Sequence, residues 1–374
     1  MTERLSQLLH DEVAELHPVP ADPTRVLAEG RRLRRRRRLS TGLAVAAVAA
    51  VVGAAGGYAL TQSNAGAGPD PTTAGGDAPV VFGVGSKVYV DDAMATVPDT
   101  IHSFHYTLEG VLVRSNPNDG ASDGSGPESL TLVRNDGTTV DLGTIPEGVG
   151  PATDPAESVY VLAEARGEAF VAVVRDAETG DTLDEVPLPD LRPSYWEVPP
   201  LSLDGETLYV GYRSSTVAVD LATGEHHTVA GAGGGLPIVA GGHLGTTNGE
   251  GDFFVLGTTT GEEVLLVDAP EGDYAWGTLS PDGRFLKMNA SELAMEQGNE
   301  SGTFAVYDVD AGSRVEIEGD GYGWGWTADG RLFQVAGDTV TTCDAGTGQC
   351  TESPAPTKVG ENAQLRVAGL SYES

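Results

Sequence analysis

Six copies of one turn, set at a nearly constant interval, constrain this chain more than any other feature. Arg134-Asn-Asp-Gly137, Asp176-Ala-Glu-Thr-Gly180, Asp220-Leu-Ala-Thr-Gly224, Gly257-Thr-Thr-Thr-Gly261, Asp308-Val-Asp-Ala-Gly312 and Asp344-Ala-Gly-Thr-Gly348 each lie between two short alternating runs. Their closing glycines are 43, 44, 37, 51 and 36 residues apart. An aspartate at the head of such a turn can accept backbone amides, and the glycine supplies the positive φ that closes a hairpin. A second marker precedes the first: Leu203-Asp-Gly205, Pro281-Asp-Gly283 and Ala328-Asp-Gly330, with Ala240-Gly-Gly242 and Leu108-Glu-Gly110 as weaker copies. Aromatics gather just before it, as in Tyr195/Trp196, Tyr274/Trp276 and Tyr322/Trp324/Trp326.

Two marks in fixed order at a period near 42 predict a radial array of four-stranded sheets, one per repeat. Six units cover residues 101–352. The flanking pieces, Pro79–Thr96 and Ala363–Leu370, each carry strand material without a complete unit. Chain ends that share one sheet remove exposed edges. The expected fold is therefore an all-β, seven-bladed β-propeller over residues 79–374, with six blades as the alternative.

The turns resemble those of WD-repeat-like and quinoprotein-like propellers, a resemblance that implies blade geometry over about 290 residues. Quinoprotein turns continue with a basic residue and a tryptophan, whereas Asp181-Thr-Leu-Asp184 and Glu225-His-His-Thr228 stand here. No quinone or other cofactor is implied.

Charge divides the chain in two. The formal net charge is -33, yet residues 1–39 hold nine arginines against six acids, so the acidity belongs to the rest. A body of that sign offers nothing to replace phosphate counterions, which excludes nucleic acid as its partner. Residues 43–60 carry no charge, and seven arginines lie within Arg31–Arg38 just before them. That asymmetry is the positive-inside pattern of a transmembrane helix. The reading is a cytoplasmic segment (1–39), a plasma-membrane helix (40–60), a flexible stalk (61–78) and an extracytoplasmic domain. Ala65-Gly66-Ala67 offers small residues for cleavage, but about forty residues precede the apolar core, which favours an uncleaved signal anchor.

Leu5, Leu8, Leu9, Val13 and Leu16 recur at helical spacing behind Thr2, and the prolines from Pro18 to Pro23 end the helix. Residues 2–16 suit either a cytoplasmic protein partner or the anionic inner leaflet of the lipid bilayer. The arrangement resembles the short cytoplasmic ends of actinobacterial single-pass membrane proteins, including transmembrane anti-sigma factors. The zinc pattern of many anti-sigma domains is absent, since no cysteine precedes Cys343.

Cys343 and Cys350 flank one of the turns, and the expected pairing is a hairpin-stapling disulfide in an oxidising compartment. Candidate chemistry is sparse. There is no Gly-x-Ser-x-Gly, and His102 and His105, three apart on a strand, should point to opposite faces and share a metal only across a bulge. His226 and His227 read as solvated hairpin side chains. Asn116–Gly124 is oxygen-rich but lacks calcium-loop spacing, and reads as a flexible insertion. No catalytic, cofactor or metal residue is assigned. The functional expectation is a non-enzymatic binding or scaffolding module for an extracytoplasmic protein or carbohydrate. A transmembrane sensor and a propeller hydrolase or lyase are the alternatives.

Overall fold

The computed structural model describes residues 77–121, 126–189, 198–212, 215–230, 232, 235–247, 253–257, 261–267, 277–288, 302–319, 321–360 and 363–370. The predicted cytoplasmic, membrane and stalk segments lie outside them. None of the helices among the described residues is long and apolar enough to cross a membrane.

The strands follow one another as β1 (Val81–Val84), β2 (Lys87–Val90) and β3 (Ala93–Thr96), then four at a time. β4–β7 are Thr100–Thr107, Gly110–Asn116, Glu128–Val133 and Thr139–Ile145. β8–β11 are Ala152–Thr153, Val159–Arg166, Ala169–Asp176 and Thr182–Pro187. β12–β15 are Leu201–Asp204, Thr207–Gly211, Thr216–Asp220 and His226–Thr228. β16–β19 are Ile238–Ala240, His243–Thr247, Phe253–Gly257 and Glu263–Val267. β20–β23 are Gly277–Leu279, Phe285–Met288, Thr303–Asp308 and Arg314–Glu318. β24–β27 are Gly325–Trp326, Leu332–Ala336, Thr339–Cys343 and Cys350–Pro354, and β28 is Leu365–Val367.

These strands pair into seven four-stranded antiparallel sheets among the described residues. Six are meanders of consecutive strands, one for each sequence unit. In the other, β28 pairs with β1, Phe82 opposite Val367 and Val84 opposite Leu365, so both ends of the domain share a sheet. The architecture is a β-propeller.

Burial shows why short apolar runs suffice. The middle strands are covered on both faces, as in β5 (GVLVRSN) and β6 (ESLTLV), because each sheet lies between two others. Outer strands turn mostly to solvent, and every residue of β27 is exposed. The core is accordingly a set of clusters between sheets. Val88 and Val90 pack with Phe104 and Val113 across the first junction, and Leu112 and Leu130 with Tyr160 and Leu162 across the next. Phe170 meets Leu208, Tyr209 meets Leu244, Ala240 meets Leu286, and Phe304 meets Trp324 and Trp326. Phe333 and Val335 then pack on Phe82 and Tyr89, which closes the circuit.

Both sequence markers lie on one face, since the first and third turns of an antiparallel meander fall at the same end. The outer marker works as its chemistry dictates. Asp220 Oδ1 accepts the Ala222 and Thr223 amides and the Thr223 hydroxyl, and Thr223 Oγ1 accepts the Glu225 amide. Asp176 repeats this with Glu178 and Thr179, and Asp344 with Thr347. Gly224 closes its turn at φ +72°. The hydroxyl and amide of Thr347 hold the Asp344 carboxyl below its ordinary range despite partial burial. Cys343 and Cys350 are register partners across this turn and form the disulfide.

The inner marker does something that its sequence did not disclose. Glu109, Asp204 and Asp329 of this marker, and Asp154 at the equivalent turn, each reach into the next sheet. Ser158 Oγ donates to Glu109 at 2.8 Å, Gly205 N to Asp154 at 2.7 Å, and Gly242 N to Asp204 at 2.9 Å. Ala78 N donates to Asp329 at 3.1 Å. Carboxylates thus clasp neighbouring sheets at these four junctions on the turn face.

Candidate functional site

The innermost strands β4, β8, β12, β16, β20, β24 and β28 surround a central channel. On its β8–β12–β16 side lies a cavity of about 350 Å³, within the size range of small-ligand pockets. Leu201, Leu203, Leu236, Ile238, Leu279 and Phe104 supply apolar wall. Pro151, Pro155, Pro199, Pro200, Pro237 and Pro281 also line it, and having no amide hydrogen they leave the wall rigid and poor in donors. Its polar groups include His105, Thr153, Ser202, Asp154 and Asp204. Neither lysine nor arginine lines it among the described residues.

The acids already have structural work. Asp154 accepts the Ala156 amide through Oδ1 and the Gly205 amide through Oδ2, and Asp204 holds Gly242. Burial pushes the Asp204 carboxyl up from its usual range; the Gly242 amide opposes this and Asp154 adds to it.

Behind the cavity wall, in the β4–β7 sheet, stands a buried ionic network. Arg114 and Glu128 are both fully buried, with Nη2 at 2.6 Å and Nε at 2.8 Å from Glu128 Oε2. Glu128 Oε1 lies 3.0 Å from His102 Nδ1 and accepts from Asn116 Nδ2 at 3.1 Å. Burial alone would raise the Glu128 carboxyl, but the His102 hydrogen bond, the Arg114 charge and the Asn116 amide hold it below its ordinary value. Arg114 Nη1 lies 3.5 Å from Ser103 Oγ, which is 2.9 Å from His105 Nε2. Burial first, then the charges of Arg114 and His102, lower the His105 pKa to about 3.

This Ser103–His105 pair has the spacing of a nucleophile and base but different chemistry. An imidazole titrating near 3 is a weak base at neutral pH, far from the matched value that general-base catalysis favours. Ser103 lies in the sheet and is absent from the cavity lining. The network joins β4, β5 and β6 next to His105, which lines the cavity.

The histidine expectation needs correction. β4 has a bulge between Ile101 and Ser103, opposite Ser115 and Arg114 of β5, so strict alternation fails at His102. Both rings consequently join one hydrogen-bonded chain instead of pointing to unrelated faces. Even so, no group of three or more His, Cys, Asp or Glu side chains among the described residues could hold a metal ion. The Asn116 loop also differs from a flexible insertion over Asn116–Ala121. Asn116 is fully buried, accepts the Asn118 and Gly120 amides, and donates to the Ala121 carbonyl. His226 and His227 are exposed on β15, as expected of solvated side chains. Arg114 and Glu128 carry one faint signal in the sequence, an ionisable residue within or at the edge of an apolar run.

No protein-family model matches the chain, and no curated protein sequence matches it. Two similar solved structures are TolB from Acinetobacter baumannii and a mitotic checkpoint complex. TolB is 14% identical with a TM-score of 0.43, covering 68% of this chain and 64% of that one. The chain therefore spans less than two-thirds of the TolB chain. The checkpoint-complex chain is 11% identical with a TM-score of 0.43, covering 81% of this chain and 90% of that one.

Proposed function

We propose that this protein is a membrane-anchored, extracytoplasmic propeller that binds its ligand in the channel cavity beside β8, β12 and β16. The observation that carries the reading is the cavity itself: about 350 Å³, mostly apolar, walled by prolines, with a few polar groups. Such a combination favours capture over chemistry, because rigid apolar walls supply binding energy and sparse polar groups fix orientation. The ligand is an extracytoplasmic protein segment or carbohydrate with an apolar face. Anchoring rests on the sequence alone, through Arg31–Arg38 before the uncharged 43–60 stretch. In this reading residues 2–16 face the cytoplasm and remain free for a protein partner.

The test uses the full chain in lipid nanodiscs. A panel of peptides and glycans is screened by thermal shift against the wild type and Ser202→Trp, which fills the cavity. A ligand at a hundred times its dissociation constant adds about 2.7 kcal/mol to stability. The reading expects at least one hit whose shift disappears in Ser202→Trp. Hits that shift both proteins equally would place binding elsewhere. Orientation is checked by protease protection in membrane vesicles, where digestion of the propeller only from the cytoplasmic side would overturn the topology.

A further inference from the structure

We infer that Gly369 and Leu370 form a removable floor of the channel cavity, hinged on Ala368, with Leu370 as a plug that leaves when the turn-face mouth opens. The inference rests on the reading of this cavity as a ligand site.

The segment has a fixed root and, at Leu370, a half-buried tip. Ala368 is fully buried; its amide donates to the Val81 carbonyl at 3.0 Å, and its carbonyl accepts the Trp326 amide at 3.0 Å. Trp326 is itself held from two further directions. Its carbonyl accepts the Tyr106 hydroxyl at 3.0 Å, and its indole Nε1–H donates to Thr278 Oγ1 at 3.3 Å. Gly369 then turns the chain at φ +77°, where a Cβ would lie 2.4 Å from the Trp326 carbonyl oxygen. Only glycine passes this point without moving the chain. Beyond it, Leu370 is half-buried and lines the cavity, as do Leu203, Ala240 and Leu279.

A rigid anchor followed by a glycine pivot and one partly buried leucine makes a hinge. Moving Leu370 breaks no interaction of the Ala368 anchor, so the floor can open while the ring stays closed. A ligand entering from the turn face, or one longer than the cavity, must displace it.

Access to the cavity can be measured without knowing the ligand. Both native cysteines form the disulfide, so an introduced thiol is the sole free one in the chain. Ala240→Cys places that thiol in the cavity wall, and Ala172→Cys places it in the fully buried core of β10. Maleimide labelling rates are compared in the full chain with three changes: Leu370→Ala, Gly369→Ala, and termination after Ala368. The expected result is labelling of Ala240→Cys at least 10-fold faster in each background, with Ala172→Cys unmoved. Unchanged labelling at Ala240→Cys in all three overturns the inference. So does equal acceleration at Ala172→Cys, which would report general loosening. If the rates respond as expected but no ligand distinguishes wild type from Ser202→Trp, the floor stands and the binding reading fails.

Discussion

Removing either half of the Arg114–Glu128 pair should cost more than removing both. Each side chain is fully buried, so Glu128→Leu strands a guanidinium without its carboxylate, takes the acceptor from His102 Nδ1 and leaves Asn116 Nδ2 with only the Ala121 carbonyl. Breaking a buried pair from one side typically costs about 3–5 kcal/mol. Arg114→Met leaves the carboxylate with two weaker donors, at the low end of that range. In Arg114→Met/Glu128→Leu no unpaired ion remains, and the residual loss is the two hydrogen bonds that His102 and Asn116 made to Glu128, about 2–3 kcal/mol together. The coupling energy should therefore exceed about 3 kcal/mol. For a domain of this size, a shift of roughly 2 °C per kcal/mol predicts melting points about 6–10 °C lower for the single variants. The assay is thermal unfolding followed by tryptophan fluorescence, which the buried Trp324 and Trp326 report. A double variant whose loss equals the sum of the singles would falsify this account, as would singles within 2 °C of wild type.

Three further outcomes follow from named contacts. His105, with its folded-state pKa near 3 against an ordinary 6.5, binds a proton more readily when the chain is unfolded. Its contribution is complete above pH 6.5 and lost as pH falls toward 3; between pH 7 and 5 the loss is about 1–2 kcal/mol, and guanidinium titrations should show it absent in His105→Asn. Asp204→Ala should cost about 1–2 kcal/mol by freeing the Gly242 amide. Asp204→Asn, which keeps an acceptor and removes a charge near Asp154, should stay within about 0.5 kcal/mol; equal losses in both would show that the clasp depends on charge. Lys287 is fully buried, and its Nζ donates to the carbonyls of Gly321 at 2.7 Å and Trp324 at 2.5 Å. Lys287→Met should cost about 2–4 kcal/mol and red-shift tryptophan emission, while unchanged emission would mean that Trp324 is held by other contacts.

The pattern of legibility follows the range of the interactions. Asp176, Asp220 and Asp344 bond amides within three residues, so the sequence that carries the aspartate also carries its partners, and those turns could be placed by eye. The two incomplete ends could likewise be matched, because each lacked what the other had. Asp154 and Asp204 act mainly on amides in the following sheet, and no local pattern marks such a target. The turn from Asp154 to Ser158 even lacks the glycine that flags its counterparts. Arg114 and Glu128 meet across a loop, and their pairing depends on the β5–β6 register, which apolar alternation alone leaves open. The bulge at His102 is hidden for a similar reason, since tertiary packing sets it.

The sheet shared by β1 and β28 has a consequence for how the protein is made. Val84 and Leu365, opposite each other in that sheet, are separated by about 280 residues of chain. Bringing such distant ends together costs on the order of 5 kcal/mol in loop entropy, and β28 offers three residues to offset it. The balance must come from the Phe82, Tyr89, Phe333 and Val335 packing that forms beside it. Until β28 is synthesised, β1 carries an unpaired edge next to exposed aromatic surface. The nascent chain is thus most prone to stick to its neighbours just before β28 emerges, and a covering chaperone would matter most during that interval.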